Sequence, residues 1–291
     1  LPDTMETPTP VSALMHAGII NAGGFLVLRF SPLIVHSTWG LDFLALIGGA
    51  TAIFGAVVML AQTSVKRSLA FSTIAQMGFM MLQCGLGAYP AALLHIVAHS
   101  CYKAHAFLSS GSVLEYAAAR RAPLPLTTLS REKLLLASAA AALAVTVVTP
   151  WIWRTSPIEK PGGVILLLVM FLAVTHLIQK ISRVRDRICP PDALAAGLAV
   201  GTAYFGLYLM FDRWLGDSLA RPTPDFHLGN YMLIALVSLG FLGVFWLQWM
   251  LDTPHGRFRL RGLYVHASRG FYFDLPLQRL VARVWKTQLT A

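Results

Sequence analysis

Charge is scarce in this sequence. Only 12% of its 291 residues are Asp, Glu, Lys or Arg, where a soluble domain carries about 25%. With 56% hydrophobic residues and a mean hydropathy of +0.63, the composition excludes an ordinary soluble globule and describes an integral membrane protein. Acid is scarcer still. None of the apolar segments marked below holds an Asp or Glu in its interior, so a proton path through them has to rely on His, Lys, hydroxyls, amides and water. The three cysteines, Cys84, Cys101 and Cys189, are far apart. Their spacing excludes a CxxC redox pair and a cysteine zinc site, and Cys84 and Cys101, inside apolar spans, read as small core residues. No phosphate-binding loop and no nucleophile–base pair is present, so no cofactor or metal site is expected in this chain, and a transport role is expected rather than an enzymatic one. No secretory leader is recognisable either. The chain begins at Leu1 in LPDTMETPTP, and further residues are expected upstream.

What is present is length and apolarity. Spanning the hydrocarbon as a helix takes about 20 apolar residues. Eight segments qualify, over residues 11–30, 42–62, 67–87, 91–113, 133–153, 163–182, 193–213 and 229–251. The expected fold is therefore all-α, a polytopic transmembrane helical bundle of about eight spans. Pro8 and Pro10 beside the first segment suggest a discontinuous span, whose freed backbone groups can line a cavity. Lys66 and Arg67 follow the second segment. Arg120, Arg121, Arg131 and Lys133 follow the fourth, Arg183, Arg185 and Arg187 the sixth, and Arg257, Arg259 and Arg261 the eighth. Basic loops on one side are the mark of the cytoplasmic face, so the C-terminus is expected in the cytoplasm. A net charge of +10 placed this way fits a membrane surface and argues against a nucleic-acid groove.

Residues 117–132, with Pro123 and Pro125, read as a cytoplasmic connector between a first region (1–116) and C-terminal helices over 133–251. Residues 252–291 form a tail with seven Arg/Lys against two Asp. Within it Leu277, Leu280, Val281, Val284 and Trp285 follow helical spacing with Arg279, Arg283 and Lys286 off that face, and Asp274 is placed to cap the start. An interfacial helix on anionic headgroups and a docking helix for a soluble partner both fit.

The fourth segment, AALLHIVAHSCYKAHAFLSSGSV, is the most informative. His95, His99 and Lys103 are spaced i, i+4, i+8 and so share one helix face. A charge in mid-membrane costs roughly 2.5–3.5 kcal/mol on insertion scales, so this face should turn to protein or a hydrated cavity. Burial disfavours the charged form of amines and imidazoles alike, which would let Lys103 take up and release a proton and the histidines relay it. A lone buried His is most simply a core residue held by its neighbours; two His and a Lys on one face point instead to function. His16 in the first segment, with Asn21 beyond it, and His176 in the sixth are further candidates. Ser68, Ser72, Gln76 and Gln83 lie close to one face of the third segment, for interhelical hydrogen bonding or for lining water. Lys66 is most simply an interfacial residue.

Three strings, LPDTMETPTPVSALMHA, VKRSLAFSTIAQMGFM and LLHIVAHSCYKAHAFLSSGSV, resemble the proton-conducting antiporter-like membrane subunits. These include subunit L of NADH–quinone oxidoreductase and the large Mrp-type Na+/H+ antiporter subunit. The resemblance covers about residues 1–116. HAGIINAGGFLVLRFSPL, AQMGFMMLQCGLG, YKAHAFL and the tail string RGFYFDLPLQRLVARVW are most similar to the membrane subunits of bacterial two-component DAB inorganic-carbon systems. The resemblance implies ion-translocating roles for His16, His95, His99 and Lys103, a functional basic residue at Lys66, and a lysine and paired glutamate upstream of Leu1. It implies a DabA-like, zinc-dependent carbonic-anhydrase-type partner on the cytoplasmic face of a bacterial inner membrane, with any zinc on that partner, in a hetero-oligomer. The function so implied is coupling of an H+ or Na+ gradient to CO2 or bicarbonate accumulation. A proton-pumping subunit of an NADH–quinone oxidoreductase-like complex, an Mrp-type antiporter subunit and a passive anchor are the alternatives. The fifth segment, KLLLASAAAALAVTVVTPWIW, lacks the interrupted, charged helix of the respiratory subunits, and a long lateral helix is not expected.

Overall fold

Apolar runs bounded by polar or glycine-containing turns become long helices, because a backbone in hydrocarbon has to satisfy its own hydrogen bonds. The computed structural model describes residues 6–112, 129–156, 162–215, 218–219 and 228–289. Most of the 117–132 connector, with Arg120, Arg121, Pro123 and Pro125, lies outside the described residues, as does His227. In chain order the helices are α1 (Thr9–Ala17), α2 (Ala22–Arg29), α3 (Ser31–Ile34), α4 (Thr38–Leu60), α5 (Val65–Gly85), α6 (Tyr89–Leu108), α7 (Arg131–Ile152), α8 (Gly163–Arg185), α9 (Pro191–Leu215), α10 (Leu228–Leu251), α11 (Pro254–Arg259), α12 (Arg261–Ser268) and α13 (Asp274–Leu289). No strand occurs among the described residues. Among the described residues, six stretches are long and apolar enough to cross a membrane: Thr9–Arg29, Thr38–Leu60, Arg131–Ile152, Gly163–Arg185, Pro191–Leu215 and Gly229–Leu251. The remaining two expected spans, α5 and α6, have the length, at 21 and 20 residues. They are the helices that carry the polar interior.

The first span is interrupted, but not by its prolines. Pro8 and Pro10 sit at the start of α1, where a missing N–H costs nothing. The break falls at Gly18, which leads into a 3-10 turn over Ile19–Asn21 before α2 resumes. α6 stops at Leu108, short of the 113 expected from apolarity alone. The hydroxyls of Ser109 and Ser110 donate to the carbonyls of His105 and Phe107, each at 2.7 Å, and such local bonds compete with the helix. Between α5 and α6 the chain reverses at Gly87, whose φ is +70°. There Ala88 N–H donates to Gln83 O at 2.8 Å and Gly87 N–H to Cys84 O at 3.0 Å, closing α5 with a left-handed glycine cap.

α4 and α5 form the closest helix pair. A Cβ added at Gly78 would lie 2.5 Å from Ala52 N and 2.8 Å from Gly48 O, and one at Gly55 2.6 Å from Ala75 N. Backbone therefore meets backbone along this seam. α1 and α2 pack on α6, and α5 packs on α6 as well as α4. α7, α8 and α9 pack on one another around Ala142, Val174, Ile178 and Phe205. α10 bridges the two groups by contacting both α4 and α8, and α9 touches α6. The α4–α10 contact is reciprocal. Val237 of α10 fills the space over Gly49, and Ile53 of α4 fills that over Gly240.

The basic helix ends gather as the loop charges require. Asp252, just after α10, bonds Arg183 of α8 at 2.7 Å and lies 4.0 Å from Arg131 of α7. Gln62, after α4, donates to Ser268 O of α12 at 3.4 Å. Of the cysteines, Cys84 is buried as expected, but Cys101 is exposed on the outer side of α6. It sits two residues from the buried Lys103 and so turns to the opposite face of the helix.

Candidate functional site

The sharp Gly87 reversal sets α5 and α6 side by side and antiparallel, so polar residues far apart in sequence face each other. On α6, Lys103 and His99 are buried and His95 is half-buried. Lys103 has no exposed surface, and its ammonium donates to Ser72 Oγ at 2.7 Å and to Leu69 O at 3.0 Å. The same Leu69 carbonyl accepts the hydroxyl of Thr73 at 3.1 Å. Thr73 Oγ1 lies 3.0 Å from His16 Nδ1. A hydroxyl has one proton to give, and Thr73 gives it to Leu69 O, so His16 Nδ1 is the donor in that bond. The neutral imidazole then carries its lone pair on Nε2, which is buried and meets no protein partner among the described residues. Phe107 stacks on the ring at 4.5 Å between centroids. His16, Thr73, the Leu69 carbonyl and Lys103 thus form one hydrogen-bonded line across three helices.

Asn21 holds the interrupted span against this line. Its amide donates to Ala17 O at 2.7 Å, satisfying a carbonyl freed by the break, and to Ser100 Oγ on α6 at 2.9 Å. Above the line, both ring nitrogens of His99 are buried with no protein partner among the described residues. His95 lies 6.1 Å from His99 between ring centroids and donates from Nδ1 to Gln83 Oε1 at 3.1 Å. Below the line, Lys66 donates to Thr7 O at 3.4 Å. From Lys66 to Gln83 is 17 residues of α5, or ~26 Å at 1.5 Å per residue, close to the ~30 Å of a bilayer core. Polar groups therefore line the interior for most of a membrane's thickness.

His16, His95, His99 and Lys103 are brought together, with Lys66 at one end. His176 is not. It is exposed on α8, whose buried face carries Thr175, Gln179 and Ser182 instead, so depth within the apolar segment gave no guide to direction. Gln76 likewise faces outward, whereas Ser72 and Gln83 bond to α6. Thr73 escaped the sequence reading, which followed Ser72 instead. Threonine in an apolar helix usually bonds its own helix, and only the partner helix reveals that its oxygen also receives an imidazole. Thr73→Val keeps the shape, removes the acceptor and leaves His16 Nδ1 buried and unpaired. A loss of ~1–3 kcal/mol is expected, read as a lowered unfolding midpoint, with Thr73→Ser restoring most of it.

Among the described residues no group of His, Cys, Asp and Glu could hold a metal ion. The described residues thus form a helical bundle suited to a membrane, with imidazoles and an amine held in its interior. The family described as NADH:quinone oxidoreductase/Mrp antiporter, transmembrane, matches residues 1–149, and the chain belongs to that family. Within it the chain is similar to the probable inorganic carbon transporter subunit DabB2 of Halothiobacillus neapolitanus. The two are 38% identical over 291 residues, 97% of this chain and 51% of the relative. It is also similar to chloroplastic NAD(P)H-quinone oxidoreductase subunit 5 of Zea mays, 51% identical over 115 residues, or 39% of this chain and 16% of the relative. Among solved structures, a chain of the Mrp complex from a Dietzia species aligns with a TM-score of 0.49 at 25% identity, covering 98% of this chain and 35% of that one. The chain spans about half the length of the inorganic-carbon relatives it matches.

Proposed function

We propose that this chain is part of an ion-translocating membrane subunit that couples a cation gradient to inorganic-carbon accumulation by a carbonic-anhydrase-like cytoplasmic partner. The observation that carries the proposal is the bonded line from His16 through Thr73 and the Leu69 carbonyl to Lys103, with the unpaired His99 ring above it. An unpaired buried polar atom costs ~1–3 kcal/mol. A core built only for stability would replace such groups with apolar ones. Imidazole and amine can each exist charged or neutral, so a proton or a cation passing Lys103 changes what His16 and His99 carry. His95 and Gln83 extend the route toward one end of the bundle and Lys66 toward the other. The His95 and His99 rings lie 6.1 Å apart between centroids, so the two imidazoles are neighbours along this route. His176, on the outer face, has no part in this route. CO2 hydration, and the zinc it uses, belong to the partner. The basic ends and the tail then lie on the cytoplasmic side of a bacterial inner membrane, where that partner docks.

A proton-pumping role in a redox complex is the second reading, favoured by the 51% identity to the quinone oxidoreductase subunit. That likeness takes in 39% of the chain, against 97% for the inorganic-carbon relative. Affinity purification from the native membrane separates the two. The expected co-purifying component is a zinc-containing protein, and recovery of NADH- and quinone-binding subunits instead would overturn the first reading.

A further inference from the structure

A different part of the molecule shows where the tail goes. After α10 the chain does not leave the bundle. Leu260, Leu263, Tyr264 and Ala267 line a small apolar cavity with Leu60 and Leu247, from the ends of α4 and α10. Gln62 reaches Ser268 O. Phe271 and Tyr272 then take left-handed backbone angles, with φ of 53° and 58°. This tight turn is energetically costly for bulky residues and redirects the chain into α13. At that turn Phe273 packs edge-on against Phe54 of α4, 5.3 Å between centroids, and Phe271 lies 6.1 Å from the same ring.

Phe54 anchors the turn. It precedes the α4 end at Leu60 by six residues, so the Phe273 ring reaches back along α4 and holds the start of α13 close to the ends of the spanning helices. A helix lying in the membrane interface occupies that region.

The chemistry of α13 agrees with that placement. At ~100° per residue, Leu280 and Val281 share one side, and Arg279 and Arg283 point away from its centre. Leu280 and Val281 are 59% and 57% exposed. Residues 252–291 carry seven Arg/Lys against two Asp, and they follow the end of α10 where Arg131 and Arg183 also gather. An exposed apolar face combined with strong positive charge is complementary to anionic phospholipid.

We infer that α13 lies in the membrane interface, its Leu280–Val281 face in the acyl boundary and Arg279 and Arg283 against anionic lipid headgroups, making the tail a sensor of anionic lipid. The test uses the complete protein in nanodiscs, with Cys101→Ser and Cys189→Ser and a spin label on Val281→Cys. Accessibility to oxygen and to a water-soluble nickel complex reports its depth. In phosphatidylcholine with phosphatidylglycerol, the label is expected to be open to oxygen and closed to nickel. Pure phosphatidylcholine, or Arg279→Glu with Arg283→Glu, is expected to abolish that immersion. A label open to nickel in the anionic membrane would overturn the inference. So would one closed to both reagents whatever the lipid, because protein rather than lipid would then cover it.

Discussion

Under the proposed function, Lys103→Ala is expected to reduce ion-driven carbon accumulation to background while the subunit still assembles. The lysine is fully buried, and its ammonium is bonded to Ser72 Oγ and Leu69 O. Removing it breaks the line at the point where α5 and α6 meet. Assembly should survive, because the Leu69 carbonyl keeps Thr73 as a donor and the loss of the two bonds is worth ~1–3 kcal/mol. Lys103→Arg is the more informative partner experiment. A guanidinium keeps the positive charge but does not deprotonate in proteins. If the amine works by taking up and releasing a proton, the arginine variant fails as completely as the alanine variant. Wild-type uptake by Lys103→Arg would show that a fixed charge suffices, and wild-type uptake by Lys103→Ala would remove the residue from the mechanism.

Gly78→Val is expected to have the largest effect on folding. The added Cβ alone would stand 2.5 Å from Ala52 N and 2.8 Å from Gly48 O. Both obstacles are backbone, so no rotamer change relieves them. Overpacking typically costs ~1–3 kcal/mol, and here relief requires α4 and α5 to separate along their whole seam. The variant should be recovered from membranes in low yield, with an unfolding midpoint well below wild type. Gly243→Ala serves as control, since nothing lies within 4 Å of the Cβ it adds. That substitution should leave yield and midpoint unchanged. Equal behaviour of the two variants would mean that the α4–α5 seam is not what holds this region together.

The two experiments draw on features of different legibility. Helix positions could be read from apolar length, because a bilayer forces backbone groups to bond within their own segment. That these helix ends lie at one end of the bundle could be read from arginine placement, and Arg131 and Arg183 do meet at Asp252. Spacing along α6 put His95, His99 and Lys103 on one face without any knowledge of neighbours. Direction relative to neighbours was the illegible part. His176 and Cys101 sit in apolar runs as deep as buried residues do, yet both face outward. A run that is apolar all round carries no phase from which to tell its inner face. Thr73 was missed for the related reason that its role depends on His16, 57 residues away. The prolines point to a break in the first span, yet it lies at Gly18, since Pro8 and Pro10 occupy the start of α1, where no bonded N–H is lost.

The reciprocal seating of α10 on α4 limits how these two helices can move against each other. Val237 lies in the notch at Gly49, and Ile53 lies in the notch at Gly240, so each helix is both peg and socket. Sliding along the axis would have to unseat both pegs together, whereas swivelling about the pegged line leaves them in place. Relative motion of α4 and α10 should therefore be a swivel about that line and not a slide along it.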